Sequence, residues 1–155
     1  MKSPFASGLT RPLEALVLDD DYRWRYLVAS HLESHLGTEP ILASRGVEAL
    51  EILAIRPIDV VICDLLMPEM DGLQFLQKAH EEFPRTKIIV LSADFGTFPI
   101  TPELLIEQGA LAVIPKTEIS RTLIPLLRLL QEVPETRMLN PGWENPTAYG
   151  LLYAN

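Results

Sequence analysis

Five short apolar runs alternate along this chain with longer segments in which apolar residues recur at helical spacing. The runs predict strands over residues 13–18, 40–43, 58–63, 87–91 and 112–114. The segments between them predict helices over residues 22–36, 46–55, 73–83, 101–108 and 122–132. Each strand is a nearly continuous apolar run, which is typical of a parallel sheet covered on both faces. The pattern therefore predicts an α/β fold with a parallel sheet between two layers of helices.

The ends of the chain differ from this pattern and divide it into three parts. Residues 1–12 mix Ser, Gly, Pro and Thr and predict a flexible leader, followed by one domain over residues 13–132. Residues 133–155 hold prolines, glycines and aromatic residues and predict an extended tail that docks on this domain or on a neighbour. The tail is too short for a separate output domain and lacks a basic recognition helix.

Composition narrows the class of partners. The formal net charge of -8 argues against nonspecific binding to nucleic acid or to anionic membranes, which both need basic patches. No apolar run approaches the length of a membrane span, and the N-terminal residues lack the apolar region expected of a signal peptide. The single cysteine, Cys63, lies inside an apolar run and is expected to be a core residue in a reducing compartment. These features predict a soluble cytoplasmic protein.

Polar residues follow four of the predicted strands at the point where each strand ends. Asp19 and Asp20 follow the first strand, Asp64 the third, Ser92 the fourth and Lys116 the fifth. The carboxyl ends of parallel strands meet at one edge of a sheet, so these side chains are expected to converge. Taken singly, each has an ordinary alternative as a helix cap, a turn residue or a solvated charge. Their position at successive strand ends favours a site.

Three converging carboxylates repel one another unless a cation lies among them. Hard oxygen ligands without a histidine or a second cysteine suit Mg²⁺ better than Zn²⁺. A lysine and a small hydroxyl added to such a cation can hold a tetrahedral dianion. The combination predicts phosphoryl transfer to a carboxylate.

The order and spacing of these residues resemble the receiver domain of two-component response regulators, including the chemotaxis regulator, over roughly residues 13–132. The motifs are the acidic pair Asp19-Asp20, the block from Asp64 through Met67-Pro68 to Met70-Asp71-Gly72, the Leu91-Ser92-Ala93 run, the Gly109-Ala110 pair and Lys116. Of these, the block that starts at Asp64 is highly specific. The resemblance implies a flavodoxin-like (βα)5 three-layer sandwich with a five-stranded parallel sheet in the order 2-1-3-4-5.

The resemblance also implies a role for each site residue. Asp64 would be the phosphoacceptor, with Ser92 and Lys116 on the phosphoryl oxygens. Asp19, Asp20, Asp64 and the backbone carbonyl of Leu66 would bind Mg²⁺. The phosphoryl donor would be a phosphohistidine of a sensor histidine kinase or phosphotransfer protein, and the protein would signal through protein contacts and not as an enzyme.

Two alternatives come from different classes of protein. One is a receiver fold that serves as a phosphate-independent scaffold or adaptor. The other is a Mg²⁺-dependent phosphatase acting on small substrates. The phosphatase is disfavoured because such enzymes usually carry a general acid two residues after the nucleophile, where this chain has Leu66.

Three departures from the family bear on switching. Thr117 follows Lys116 where the family commonly has proline, so the bond between them is either trans or a strained cis bond costing about 3–4 kcal/mol. Val113 replaces the usual aromatic residue of the fifth strand, which makes an aromatic switch doubtful. The loop over residues 94–101 is long and aromatic, and is either a partner-facing loop or a surface insertion.

The fifth predicted helix is apolar nearly all round, whereas a covering helix needs one apolar stripe. The surplus predicts a binding surface or a surface covered by the tail. In the family, the fourth helix, fifth strand and fifth helix form the usual surface for a homodimer or an effector. Pro125 is compatible with this helix only if the helix begins close to Thr122.

Overall fold

The computed structural model describes residues 12–93 and 100–132. Three predictions fall largely outside these residues: the leader, the loop over residues 94–101 and the tail over residues 133–155. They stay predictions. Within the described residues, no helix is long and apolar enough to cross a membrane.

The five predicted strands form one parallel sheet in the order β2-β1-β3-β4-β5. They are β1 (Ala15–Leu18), β2 (Ile41–Ala43), β3 (Val60–Asp64), β4 (Lys87–Ser92) and β5 (Ala112–Pro115). This order confirms the flavodoxin-like fold that the resemblance implied.

Three strands run one residue further than the apolar pattern predicted. Asp64 pairs with Leu91 and Ser92 pairs with Pro115, so polar site residues belong to the strands themselves. The predicted strands ended at the last apolar residue because hydropathy depends on side chains. Strand pairing depends on backbone hydrogen bonds and can continue through a polar residue. Asp64 and Ser92 are therefore held by strand hydrogen bonding and not by a loop.

The five helices cover both faces of the sheet. They are α1 (Tyr22–Leu36), α2 (Gly46–Ile55), α3 (Gly72–Glu82), α4 (Pro102–Glu107) and α5 (Ile124–Glu132). Local caps explain several of the ends: the Asp21 side chain accepts a hydrogen bond from the Arg23 N–H at the start of α1, and Gly37 ends this helix at a φ of 62°. Asp71 and Gln74 form a capping box at the start of α3.

The fifth helix begins two residues later than predicted. Lys116–Glu118 forms a 3-10 turn and Ile119–Leu123 a π-helical turn, in which the Ile124 N–H donates to the Ile119 carbonyl. Pro125 is therefore the second residue of α5, where its missing N–H removes no hydrogen bond that the helix needs. Because the 3-10 and π-helical turns delay the start of α5, Pro125 lies in its first turn and not in the interior of the helix.

Alternation along the strands sends apolar side chains into two separate clusters. Leu16, Leu18, Val61 and Cys63 lie on the face covered by α2, α3 and α4. Ala15, Val17, Val60 and Ile62 lie on the face covered by α1 and α5. The sheet therefore has a packed core on each side, as a three-layer fold requires.

The expected apolar surplus on α5 is mostly inside the domain. Leu123, Ile124, Leu126, Leu127 and Leu130 are buried, and only Leu129 of this set is half-buried. The prediction of a broad apolar surface on this helix was wrong, because the π-helical turn and α5 together fill the cluster shared with α1.

Gly72 is required by the close approach of α3 to the end of β3. A Cβ at this position would lie 2.5 Å from the Asp64 carbonyl oxygen and 2.7 Å from the Leu65 Cα, and both are backbone atoms that cannot rotate away. We expect Gly72→Ala to lower the free energy of unfolding by about 3 kcal/mol, as overpacking does. Urea denaturation measures this change.

Gly37→Ala is the matched control for that substitution. Gly37 has a positive φ of 62° but no atom within 4 Å of the position of a Cβ. The cost should therefore come from backbone strain alone, about 1 kcal/mol. An equal loss of stability in the two variants would contradict a steric role for Gly72.

Candidate functional site

The sheet register brings the predicted site residues to one edge. Leu18 pairs with Cys63, which places Asp19 beside Asp64. Ser92 ends β4 opposite Pro115, the residue before Lys116. Four strands that are far apart in sequence thus contribute to one crevice at their carboxyl ends, where parallel sheets hold their ligands.

Lys116 connects the two sides of this crevice. Its ammonium nitrogen donates to Asp19 Oδ2 at 2.8 Å and lies 3.2 Å from Asp64 Oδ1. All three side chains are buried. A buried ion pair of this kind costs desolvation on both partners, so it is weak evidence for stability and better evidence for a functional arrangement.

Asp20 completes an acidic cluster with Asp19 and Asp64. Each of the three offers a carboxylate oxygen, and these oxygens lie within 4.8 Å of one another. Asp20 is exposed while the other two are buried, so the cluster opens to solvent on one side. Oxygen-only ligands at this spacing suit a hard divalent cation that keeps part of its water shell.

The cluster changes the acidity of its members. Burial, and next the charge of Asp19, raises the pKa of Asp64 to about 6 although Lys116 opposes the shift. Burial also raises the pKa of Asp19, against the hydrogen bond from Lys116. Burial raises the pKa of the neighbouring Cys63 thiol well above its usual value, which fits its expected role as a core residue.

The start of α1 fixes the acidic pair. Asp19 Oδ1 accepts the Asp21 N–H at 2.9 Å, and the Asp19 carbonyl accepts Arg25 Nη1 at 2.6 Å. Asp21 in turn caps the helix and pairs with Arg23, whose hydrogen bond lowers the pKa of Asp21 to about 2. The turn between β1 and α1 is therefore held by its own side chains.

The loop after β3 is equally constrained. The Leu65 N–H donates to the Leu91 carbonyl at 3.0 Å, and the Gly72 N–H donates to the Leu65 carbonyl at 2.8 Å. Between them, the Met70 N–H donates to the Pro68 carbonyl at 2.8 Å across Glu69, whose φ is 68°. A three-residue turn with positive φ is a strained conformation, found where surrounding structure enforces it.

Leu66 lies in this loop two residues after Asp64 and is 39% exposed. The role of its carbonyl as a ligand stays a prediction. Ser92 is buried at the end of β4, the strand between β3 and β5. Among the described residues no peptide bond is cis, so the bond between Lys116 and Thr117 is trans. Val113 is buried in the cluster covered by α2, α3 and α4.

Trp24 was not predicted from the sequence as a site residue. Its ring lies over the Lys116 ammonium, 4.8 Å from the ring centroid to the nitrogen. Trp24 is the third residue of α1, and Lys116 follows the last strand of the sheet. Nothing in the local pattern around residue 24 indicates a contact with a residue so distant in sequence.

The raised pKa of Asp64 predicts a pH-dependent stability in the absence of divalent cations. A carboxyl with a higher pKa in the folded chain binds its proton more tightly there. The free energy of unfolding therefore falls as the pH rises from about 4 to about 6, and the loss persists above this range. We expect Asp64→Asn to be more stable than the unaltered chain by about 1–2 kcal/mol at pH 8, after allowance for solvent screening.

The difference between the two proteins should shrink toward zero at pH 4. Urea denaturation in EDTA across this range measures it, and the contributions of carboxyls outside the cluster cancel in the difference. Asp71→Asn, in the same loop but outside the cluster, is the control. A difference that does not change with pH would contradict the raised pKa of Asp64.

Comparison with known proteins agrees with the geometry. The family model described as the response regulator receiver domain matches residues 15–128. The chain is 33% identical over 135 residues to protein-glutamate methylesterase/protein-glutamine glutaminase 3 of Hahella chejuensis, covering 82% of this chain and 38% of that protein. It is 32% identical over 116 residues to the Regulator of RpoS of Escherichia coli, covering 73% and 34%. The chain thus spans about a third of the length of these curated relatives.

Solved receiver domains have the same fold. The receiver domain of NtrX from Brucella abortus is 27% identical with a TM-score of 0.70, over 78% of this chain and all of that chain. The response regulator TrrA from Thermotoga maritima, solved in complex with Mg²⁺-BeF, is 27% identical with a TM-score of 0.67, over 76% and 98%. Receiver domains bind Mg²⁺ in an acidic pocket and receive phosphoryl groups from histidine kinases. The chain belongs to the response regulator receiver domain family of two-component systems.

Proposed function

We propose that this chain accepts a phosphoryl group on Asp64 from a phosphohistidine of a sensor histidine kinase or phosphotransfer protein, and signals through protein contacts. The observation that carries the proposal is the buried bridge of Lys116 between Asp19 and Asp64, at 2.8 and 3.2 Å, beside a third carboxylate. A structural ion pair would need one carboxylate for one ammonium. Three carboxylates in a crevice leave negative charge that a bound cation would balance.

The proposed transfer is an in-line displacement at phosphorus. An Asp64 carboxylate oxygen forms the new P–O bond, and the P–N bond to the donor imidazole breaks. The ring nitrogen leaves with the electron pair of that bond, and the donor ends as neutral imidazole, with its one proton taken from solvent or already on its other nitrogen. The product is an acyl phosphate on Asp64. Its formation requires the ionised carboxylate, and a cation in the cluster would oppose the shift that raises the pKa of Asp64 to about 6.

The other residues would stabilise the charge on the transferred group. Lys116 would move its contact from Asp64 Oδ1 to a phosphoryl oxygen, a shift within the reach of a lysine side chain. Ser92 would donate its hydroxyl to a second oxygen. Asp19, Asp20, Asp64 and the Leu66 carbonyl would hold Mg²⁺, which when bound neutralises negative charge on the transferred oxygens.

Residues 13–132 would form this phosphoacceptor domain, with no enzymatic activity beyond its own phosphorylation and dephosphorylation. The cytoplasm would be its location, because histidine kinases present their phosphohistidine there. A homodimer through α4, β5 and α5 would use Leu104, Ile106 and Leu129, which are half-buried at this surface.

The alternative is a phosphate-independent scaffold with the same fold. It is favoured by Val113, because a buried valine on β5 cannot make the swing of an aromatic ring that the family commonly uses. Beryllofluoride with Mg²⁺, which mimics the acyl phosphate, distinguishes the two functions. A scaffold would not bind it.

We expect Asp64→Asn to abolish the incorporation of acid-labile phosphate from acetyl phosphate in the presence of Mg²⁺. The amide is nearly isosteric with the carboxylate but cannot act as the nucleophile. Labelling with ³²P followed by acid treatment measures the loss, and Asp71→Asn makes the same change in the same loop as a control. Undiminished labelling of Asp64→Asn would reject the assignment of the phosphoacceptor.

We expect beryllofluoride with Mg²⁺ to increase self-association of the chain. Leu129→Glu should weaken this association by about tenfold or more, because it places a charge in an apolar contact. Sedimentation velocity measures the effect. Ile55→Glu on the exposed side of α2 is the control, since Ile55 is 82% exposed and lies outside α4, β5 and α5. Equal association in the two variants would exclude the proposed dimer surface.

A further inference from the structure

We propose that Trp24 is a positioning residue for Lys116, and that its ring raises the affinity of the site for the phosphoryl dianion. The ring centroid lies 4.8 Å from the Lys116 ammonium nitrogen, within the range of a cation–π contact. The inference rests on the proposed function, because it assigns to Lys116 the role of binding a phosphoryl oxygen. It adds a residue from α1 to a site otherwise built from strand ends.

The position of the ring is fixed by the same turn that fixes the acidic pair. Asp21 caps α1, which makes Trp24 the third residue of the helix. Arg25, the next residue, donates to the Asp19 carbonyl at 2.6 Å. The first turn of α1 is therefore tied to Asp19 on one side, and it carries the indole ring over the ammonium that Asp19 also binds.

The contact differs from the two carboxylate contacts of Lys116 in its response to phosphorylation. Asp64 Oδ1, at 3.2 Å, is a group that the proposed reaction would phosphorylate or turn toward a cation. The ring undergoes no such change, so it holds the ammonium in place when the contact with Asp64 Oδ1 is lost, and its contribution is therefore larger in the phosphoryl-bound state. It also adds no net negative charge to a crevice that already holds three carboxylates, so it does not repel the incoming dianion.

Burial strengthens this contact. Lys116 is 6% exposed, so the ammonium has little contact with water, and a cation–π contact is stronger when the cation is desolvated. Without the ring, water would occupy this side of the ammonium and compete with the phosphoryl oxygens. The ordinary alternative is that Trp24 only fills space, since it also packs against the apolar cluster shared by α1 and α5.

Aromatic and aliphatic substitutions separate these two roles. We expect Trp24→Leu to weaken the binding of beryllofluoride at saturating Mg²⁺ by roughly 5- to 30-fold, and Trp24→Phe by less than about 3-fold, because the phenyl ring keeps a π face. The binding of Mg²⁺ alone should change by less than about 2-fold in both variants, because the ring contacts Lys116 and not the acidic cluster. Isothermal titration calorimetry on the full chain measures both constants.

The control removes an aromatic ring from the same helix. Tyr26 is 60% exposed on α1, and Tyr26→Leu should leave both constants unchanged. Urea denaturation of each variant establishes that it is folded under the conditions of the titration. If Trp24→Leu is too unstable, Trp24→Met takes its place with the same expectation, since methionine fills irregular space without a π face.

The outcomes separate this inference from the proposed function. Failure of the unaltered chain to bind beryllofluoride would overturn the proposed function and the role of Trp24 with it. Binding by the unaltered chain with equal affinity in Trp24→Leu would overturn the role of Trp24 alone. A parallel loss of beryllofluoride and Mg²⁺ binding in the phenylalanine and leucine variants would assign Trp24 to packing and also overturn the inference.

Discussion

The balance of charge at the carboxyl ends of the strands governs this structure. The Lys116 ammonium contacts Asp19 and Asp64, which are both buried, and the exposed Asp20 adds a third carboxylate beside them. Burial, and next the charge of Asp19, raises the pKa of Asp64 to about 6. Folding therefore places charges in a crevice where they cost free energy, and a bound cation would relieve that cost.

The strand order makes this arrangement possible. β1 and β3 are neighbours, so Asp19 and Asp64 lie side by side, whereas Lys116 comes from β5 on the far side of β4. The lysine side chain therefore reaches across the end of β4, which ends at Ser92. The trans bond after Lys116 and the 3-10 and π-helical turns that follow carry the chain from this crevice into α5.

Much of this could be predicted from the sequence, because the relevant signals are local. Apolar runs located all five strands, and the acids, hydroxyl and lysine after them predicted the candidate site. The strand ends depend on backbone pairing and were predicted less well from hydropathy. Asp64 and Ser92 proved to be strand residues. The apolar excess of α5 suggested an exposed binding surface. Packing of the π-helical turn and α5 against α1 buries most of these apolar side chains.

The sequence by itself determined the fold class, the polar residues at the strand ends and the block from Asp64 to Gly72, since each follows from periodicity or from a short motif. Only the tertiary structure decided which of these groups touch. The bridge from Lys116 to Asp19 joins residues 97 positions apart, and the contact of Trp24 with Lys116 joins α1 to the end of β5. Such contacts depend on strand order and helix placement, which no local pattern encodes.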